Sequence, residues 1–489
     1  MDVDGRSVAR SPATNRWPLW GMRLALPGVL VLAAAVRLHW IGLGSLDVDE
    51  GFTVWVARHS AAGIWSVLAQ LDDHPPLYYL VLHSWIRIFG DDAVTLRMPS
   101  VLSGILTVGF AFDLGRVVGG RGVGLLTAFL AALAPDLVHW SQESRMYALE
   151  TLAVTVAMVG LGRSFAGRGP SWAALAMYVA GTAAAVWTDY TAVLFPVAAV
   201  AALVWVTWVL PHRDRPAFVR RWLLAHLAVA VLCVPVLFLL AAQVKGGTII
   251  HWYALNPYAP PTVAAVGAGL VLAGRALWRR EPHWVALTTS LWVVPIACLM
   301  AVSLVVPVFA KRAYLWTDLP LALVVAAGLE RVRFPWARVG LITVVASLAA
   351  AGVSAHYRDD LAGDVLRGWD QAASYVAARA QPGDLVLFYV PYVQPVFDYY
   401  AVRYHLGLEE RGVPIDFGVG RTLFPPLEEA DAARIPSFLA GHARVWLVHG
   451  MYPSPSLILN VLAARGRLLD SRTVTSALTI YLYETPAAP

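Results

Sequence analysis

The sequence predicts a polytopic α-helical membrane protein with about eleven transmembrane helices and a C-terminal extracytoplasmic α/β domain. Three observations carry this. The chain is 58% hydrophobic and only 14% charged, where a soluble domain carries roughly 25% charged residues. Several apolar runs reach the ~18–20 residues needed to cross a bilayer. Beyond residue 355 the pattern changes to short apolar runs alternating with amphipathic segments.

Residues 1–23 are polar and hold Arg6, Arg10, Arg16 and Arg23, which makes them a cytoplasmic tail. The apolar run behind them leads into an acidic loop, so it reads as a first span and not as a cleaved signal. Spans are predicted over 24–43, 98–116, 122–138, 147–164, 171–188, 190–210, 221–243, 260–277, 284–306, 314–330 and 338–355. The loops after spans two, four, six, eight and ten hold "RVVGGRG", "RSFAGRGP", "PHRDRPAFVRR", "RALWRRE" and "ERVRFPWAR". The opposite short loops hold only Arg145, Lys245, Lys311 and Arg312 as basic residues. Basic loops stay in the cytoplasm. The N-terminus is therefore expected inside a plasma or inner membrane. Loop 43–97 and the C-terminal domain, 356–489, are expected outside.

Within 356–489, "LVLFYV", "RVWLVHG" and "ALTIYLYE" read as strands, and "DVLRGWDQAASYVAARA" and "LEEADAARIPSFLAGHA" as helices. Such alternation suggests a small α/β domain. It carries no catalytic motif, and binding or packing on the membrane part is its expected role. The net charge of +5 comes from basic residues scattered through short loops, so nucleic acid is not an expected partner. Cys233 and Cys298 both lie in apolar segments, which argues against a disulfide framework or a thiolate metal site.

Polar residues gather at the predicted outer face. The first outer loop holds Asp47, Asp49, Glu50, Asp72, Asp73 and His74; the second holds His139, Glu143, Arg145 and Tyr147. Asp189 and Tyr190 follow, then Lys245, His251 and Trp252, then Lys311, Arg312 and Tyr314. Charge near hydrocarbon is costly unless it serves a function. Both signs on one side suit a site with acids for proton transfer and cations for an anionic substrate.

In "DVDEGFTVWVARHS", Asp49 or Glu50 is a candidate general base for an acceptor hydroxyl, or else caps the following helix. In "LDDHPPLYYL", Pro75 favours extended backbone at His74, and a helix is predicted to begin at the prolines. A helix start with His74 beside it makes a seat for a phosphate; the alternative is a structural turn with solvated acids. Glu143 and Tyr147 are four apart and are expected to share a helical face, with Arg145 pointing elsewhere. Glu143 is then a second catalytic carboxylate or the partner of an arginine. Lys245, Lys311 and Arg312 would stabilise a phosphate leaving group or reach toward lipid headgroups. Arg37, six residues before the end of the first span, is expected to face the site.

Taken together and in this order, "DVDEGFT", "DDHPPLYYL", "RMPSVLSG", "SQESRMYAL" and "KRAYLWTDLP" resemble the GT-C superfamily of integral-membrane glycosyltransferases. The nearest branch is the protein O-mannosyltransferase and aminoarabinose-transferase-like group. The resemblance implies transfer of a mannose-like or other hexose or pentose from a polyprenyl-phosphate donor to an acceptor hydroxyl. The acceptor would be a glycan, a glycolipid or a protein. Asp49 matches the family's catalytic acid, with Glu50 its neighbour. His74 stands at the position before the double proline, near the donor phosphate, and Glu143 where relatives often carry a second-loop acid. Asp73, Arg37, Arg145, Tyr147, Lys245, Lys311, Arg312 and Tyr314 complete the expected substrate-binding set. Two departures weaken the match at Arg312: Ala313 is inserted in the Arg-Tyr pair, and Asp318 stands where relatives are apolar.

A single in-line displacement with one carboxylate as base inverts the anomeric configuration. No cofactor is expected; Asp49, Glu50 and Glu143 could hold a divalent metal between them, but none is predicted. The competing readings are a transporter or lipid flippase and a non-catalytic glycan-binding scaffold. A transporter places ionisable groups at mid-membrane, whereas these gather at one face.

Overall fold

A computed structural model describes residues 19–166, 170–209, 215–246, 282–305, 310–361, 367–418, 434–450 and 455–485. Long apolar helices dominate it. Six among the described residues are long and apolar enough to cross a membrane: Ala93–Leu133, Tyr147–Phe165, Pro216–Lys245, Trp284–Ser303, Lys311–Glu330 and Pro335–Arg358. Shorter apolar helices accompany them at Leu24–Leu38, Trp172–Thr188 and Tyr190–Val206. Every predicted span on described residues coincides with a helix; 260–277 lies outside them, as do His251 and Trp252.

In chain order, α1 is Leu19–Leu38, α2 Val48–Ala57, α3 Ala61–Leu71, α4 Leu77–Phe89 and α5 Ala93–Leu133. Gly119 and Gly120 break α5 into two arms, Gly120 at φ +82°. The arms pack closely: a Cβ on Gly124 would stand 2.7 Å from the carbonyl oxygen of Phe112. Glycine is needed there for close approach as well as for the turn. The second arm stops at Leu133 because Ala134, before Pro135, is extended. A short helix α6, Pro135–His139, follows, then α7 Tyr147–Phe165, α8 Trp172–Thr188, α9 Leu194–Val209 and α10 Arg215–Gly246. Among the described residues, the remaining apolar helices are α11 Pro282–Ser303, α12 Asp318–Glu330 and α13 Pro335–Leu361. Gly160 and Gly181 let α7 and α8 pack backbone to backbone, each facing carbonyl oxygens of the other helix at 2.5 Å from an added Cβ.

The first span ends earlier than predicted, at Leu38. Arg37, one residue before that end, does not take its expected place at the site. Its guanidinium is fully buried and donates to the carbonyls of Ala132 (3.1 Å), Ala131 (3.3 Å) and Ala33, and to Ser141 Oγ. Arg37 therefore satisfies the open carbonyls at the end of α5.

The C-terminal region holds a five-stranded sheet in the order β2-β1-β3-β5-β4. The strands are β1 Leu385–Tyr389, β2 Glu409–Gly412, β3 Arg444–Gly450, β4 Arg467–Thr475 and β5 Leu478–Glu484. β1 runs parallel to β2 and β3, and β5 antiparallel to β3 and β4. Among the described residues four helices accompany it: α14 Trp369–Ala377, α15 Gln394–Ala401, α16 Ile435–Leu439 and α17 Ser456–Ala463. The three predicted strands are β1, β3 and β5. β2 and β4 escaped prediction because they are short or exposed edge strands with polar residues.

This region docks on the loop that carries α2. Leu46 N donates to Tyr400 Oη at 2.7 Å, Gly368 N to Ser45 Oγ at 2.7 Å, and Tyr399 Oη to the Asp91 carbonyl at 2.8 Å. Gly51 lies flat on α15: a Cβ there would come within 2.4 Å of Val396 Cβ and 2.6 Å of its Cα. Gly51→Ala is expected to lower stability by about 1–3 kcal/mol, the usual cost of overpacking. It should also expose the C-terminal region to protease. Val396→Ala should not relieve it, since the clash involves backbone and Cβ; thermal melts and limited proteolysis of the purified protein would read both effects.

Candidate active site

The acidic loop after α1 divides its carboxylates by role. Asp47 is the N-cap of α2: its Oδ1 accepts from Glu50 N at 2.6 Å, and Glu50 Oε2 accepts from Asp47 N at 3.1 Å. This capping box uses Asp47 and Glu50 and leaves Asp49 to point away. Glu50 is then gripped by Arg97, with Nε to Oε1 at 2.8 Å and Nη2 to Oε2 at 2.7 Å. Ser144 N adds a bond to Oε1 at 2.8 Å. Arg97 donates further to the carbonyls of Ile41, Gly44 and Ser45. Burial opposes the charge on Glu50, yet Arg97 outweighs it and draws the carboxyl down to about 2. The expectation of Glu50 as a catalytic carboxylate is corrected on this geometry. Both oxygens are committed, and the side chain is shut off from solvent.

Asp49 faces a cleft with 35% of its side chain exposed. Tyr392 Oη, from the C-terminal region, donates to its Oδ1 at 2.9 Å. Arg145 Nη2 and Arg312 Nη1 stand 3.8 and 3.6 Å from its Oδ2. Arg145 also donates to Thr53 Oγ1 at 2.8 Å and to the Asp49 carbonyl. Both guanidinium groups lie over the ring of Tyr147, at 5.8 and 5.6 Å. Burial pushes the Asp49 carboxyl up, but Arg145, Arg312 and the Tyr392 bond together bring it below its ordinary value.

His74 reaches the same cleft, and its charge acts on Asp49. Its Nδ1 lies 3.0 Å from Asp72 Oδ1 and 2.9 Å from Asp73 Oδ1. Tyr79 Oη holds the other oxygen of Asp72 at 2.5 Å. The carbonyl of His74 accepts from Gln243 Nε2 at 3.2 Å, and Gln243 Oε1 accepts from Tyr190. Burial disfavours the imidazolium, but Asp73 and Asp72 raise its pKa well above the usual histidine range. Asp73 is drawn down to about 2 by His74 against its own burial. The helix predicted at the prolines is α4, with Pro76 as its N-cap.

Residues 143–145 point three ways. Residues 140–146 are turns, and α7 starts only at Tyr147, so the helical spacing assumed for Glu143 and Tyr147 does not apply. Arg145 joins Asp49, Ser144 caps Glu50, and Glu143 lines a separate cavity with Arg97 and Arg367. Glu143 is therefore not brought beside Asp49 as a second acid. Lys311 is taken up by Asp318 at 2.5 Å and Asp136 at 3.4 Å, and lies 5.1 Å from the Tyr314 ring. Lys245 is exposed near the end of α10. Of the expected set, the structure thus gathers Asp49, Asp73, His74, Arg145, Tyr147 and Arg312. It leaves Arg37, Glu50, Glu143, Lys245, Lys311 and Tyr314 elsewhere.

The carboxylates suggested for a divalent metal, Asp49, Glu50 and Glu143, do not share a site. Among the described residues, Asp72, Asp73 and His74 place ligand atoms within 4.8 Å of one another. Their mutual hydrogen bonds and Tyr79 already use these atoms. Sequence reasoning missed Arg97 and Tyr392. An arginine one turn into an apolar run needs a buried acid, and that signal pointed to Glu50. Tyr392 had no local signal.

Residues 73–239 match the family described as dolichyl-phosphate-mannose-protein mannosyltransferase. No curated protein matches the chain. Among solved structures, ArnT from Cupriavidus metallidurans in the apo state is similar at 15% identity and a TM-score of 0.64, over 96% of this chain and 99% of that one. The same protein bound to undecaprenyl phosphate gives 14% and 0.63, over 96% and 100%. The oligosaccharyltransferase AglB from Archaeoglobus fulgidus, in complex with an inhibitory peptide and a dolichol-phosphate, gives 11% and 0.57, over 95% and 75%.

Arg97→Met should destabilise the protein by about 3–5 kcal/mol, because Glu50 would remain buried and uncompensated. Adding Glu50→Gln should recover most of that loss. Thermal melts of the two single variants and the double variant check this coupling.

Proposed function

We propose that the chain, whose fold is similar to those of ArnT and AglB and part of which matches the mannosyltransferase family, moves a sugar from a polyprenyl-phosphate carrier to an acceptor hydroxyl. The reaction takes place at the outer membrane face, and Asp49 is the general base. The observation that carries this reading is the cleft in which Asp49 meets Arg145, Arg312 and a protonated His74. The undecaprenyl phosphate bound to ArnT and the dolichol-phosphate bound to AglB support the choice of donor.

The acceptor oxygen attacks the anomeric carbon as Asp49 takes its proton, and the bond from that carbon to the phosphate oxygen breaks. The electron pair leaves with the polyprenyl monophosphate, and the configuration inverts. His74 and Arg312 stabilise the anion as it forms. His74 suits this role because Asp72 and Asp73 occupy Nδ1, leaving Nε2–H as the donor. The low pKa of Asp49 makes it a weak base in the free protein. A bound phosphate draws on the same guanidinium groups, which releases Asp49 and strengthens it when the donor is in place. Tyr392 holds the carboxylate in orientation from the opposite side. The sugar is a hexose or pentose, and the acceptor a glycan, glycolipid or protein.

Purified protein incubated with a panel of polyprenyl-phosphate sugars, together with glycan, glycolipid and protein fractions as sources of acceptor hydroxyls, should release the bare lipid phosphate. Asp49→Asn should lower kcat by about 10²–10⁴-fold with an unchanged melting temperature. Retained turnover would remove Asp49 as the base.

The sign of the pH dependence follows from His74 and Asp73. The folded pKa of His74 is raised, so the cation persists through neutral pH and is lost only as pH rises through that value. Asp73 stays ionised down to about 2. Affinity for a polyprenyl-phosphate sugar, a diester whose one charge does not titrate in this range, should therefore stay flat between about pH 5.5 and 8 in the native protein. Asp73→Asn should bring in a decline near neutrality, read as Kd against pH.

A further inference from the structure

A cavity of about 270 Å³ is lined by Arg97 and Glu143 and not by Asp49. The end of α1, the turn between α6 and α7, the end of α13 and the start of α14 enclose it. Its volume is close to the lower bound of small-molecule sites, ~300 Å³. A single sugar-sized ring fits; a prenyl chain does not.

Its wall has two kinds of surface. One is aromatic. Trp40 is 43% exposed and stacks on His39 at 4.4 Å, with Tyr357 edge-on at 5.9 Å. Trp40 holds φ +59°, a left-handed backbone that a bulky residue rarely adopts. Backbone strain of this kind gathers at ligand sites. The other surface is polar. Glu143 enters it 3.5 Å from His139 and 3.7 Å from Arg367. Burial raises the Glu143 carboxyl to about 8 against the pull of Arg367. Gln371 and Asp370 line the opposite rim. A flat apolar ring face beside planar donor-acceptor groups matches a pyranose, which has a C–H face and a rim of hydroxyls.

We infer that this cavity is a saccharide subsite that seats one sugar ring of the acceptor, apart from the donor-phosphate cleft. Naming that sugar as the acceptor's rests on the transferase reading; sugar binding itself does not. Ser45 lines the cavity and precedes Asp49 by four residues, so the loop that carries the base also forms part of the cavity wall.

The test uses full-length protein in phosphatidylethanolamine–phosphatidylglycerol nanodiscs and saturation-transfer NMR with free mannose, galactose, arabinose and glucosamine. At least one sugar should give a signal. Trp40→Ala and Gln371→Ala should each weaken it by about three- to tenfold, the worth of one aromatic or hydrogen-bonding contact. Both residues are solvent-facing, and unchanged melting temperatures would certify the variants. Asp49→Asn and added polyprenyl phosphate sugar should leave the signal intact. Absence of any signal would overturn the inference, as would a signal indifferent to Trp40→Ala, which marks a membrane-interface anchor. Displacement by the lipid-linked donor would also overturn it, because the sugar would then be the donor's. If no lipid phosphate is released in the turnover assay while sugar binding persists, the transferase reading fails and the subsite stands.

Discussion

The arrangement depends on one buried ion pair. Arg97 and Glu50 meet in a two-pronged contact and are both nearly inaccessible to water. Through it α5 holds α2, and through Ser144 N the same carboxylate holds the turn before α7. Planar guanidinium–carboxylate pairing fixes direction as well as distance. A pair of this kind contributes little net stability, but losing either partner strands a charge. Its service is registration: with Glu50 pinned, Asp49 is turned into the cleft and Arg145 is carried to it.

Opposite charges are segregated within the site. Two guanidinium groups and an imidazolium converge around one exposed carboxylate, and the two acids that compensate His74 sit on its Nδ1. The C-terminal region completes the site: Tyr392 supplies a hydrogen bond to Asp49, and α15 closes on Gly51.

Periodicity and apolar length revealed the spans because hydrocarbon demands them locally. The glycine pair at 119–120 and the prolines at 75–76 marked the breaks for equally local reasons. The site was legible only as a crowd of charges at one face. Asp49, Asp73, His74, Arg145, Tyr147 and Arg312 did come together, yet Glu50 and Arg37 proved to be anchors for helix ends. Spacing could not separate these roles, because a buried acid with a distant partner and an exposed acid without one look alike in a string of letters.

The sequence by itself determined a membrane protein of many helices with a small sheet beyond them, since burial and bilayer length act on neighbouring residues. It also determined that the ionisable groups collect at one end of the helices. The tertiary structure alone decided which carboxylate meets solvent. That choice depends on partners far along the chain, Arg97 for Glu50 and Tyr392 for Asp49, and contacts of that range are set by packing and leave no local trace.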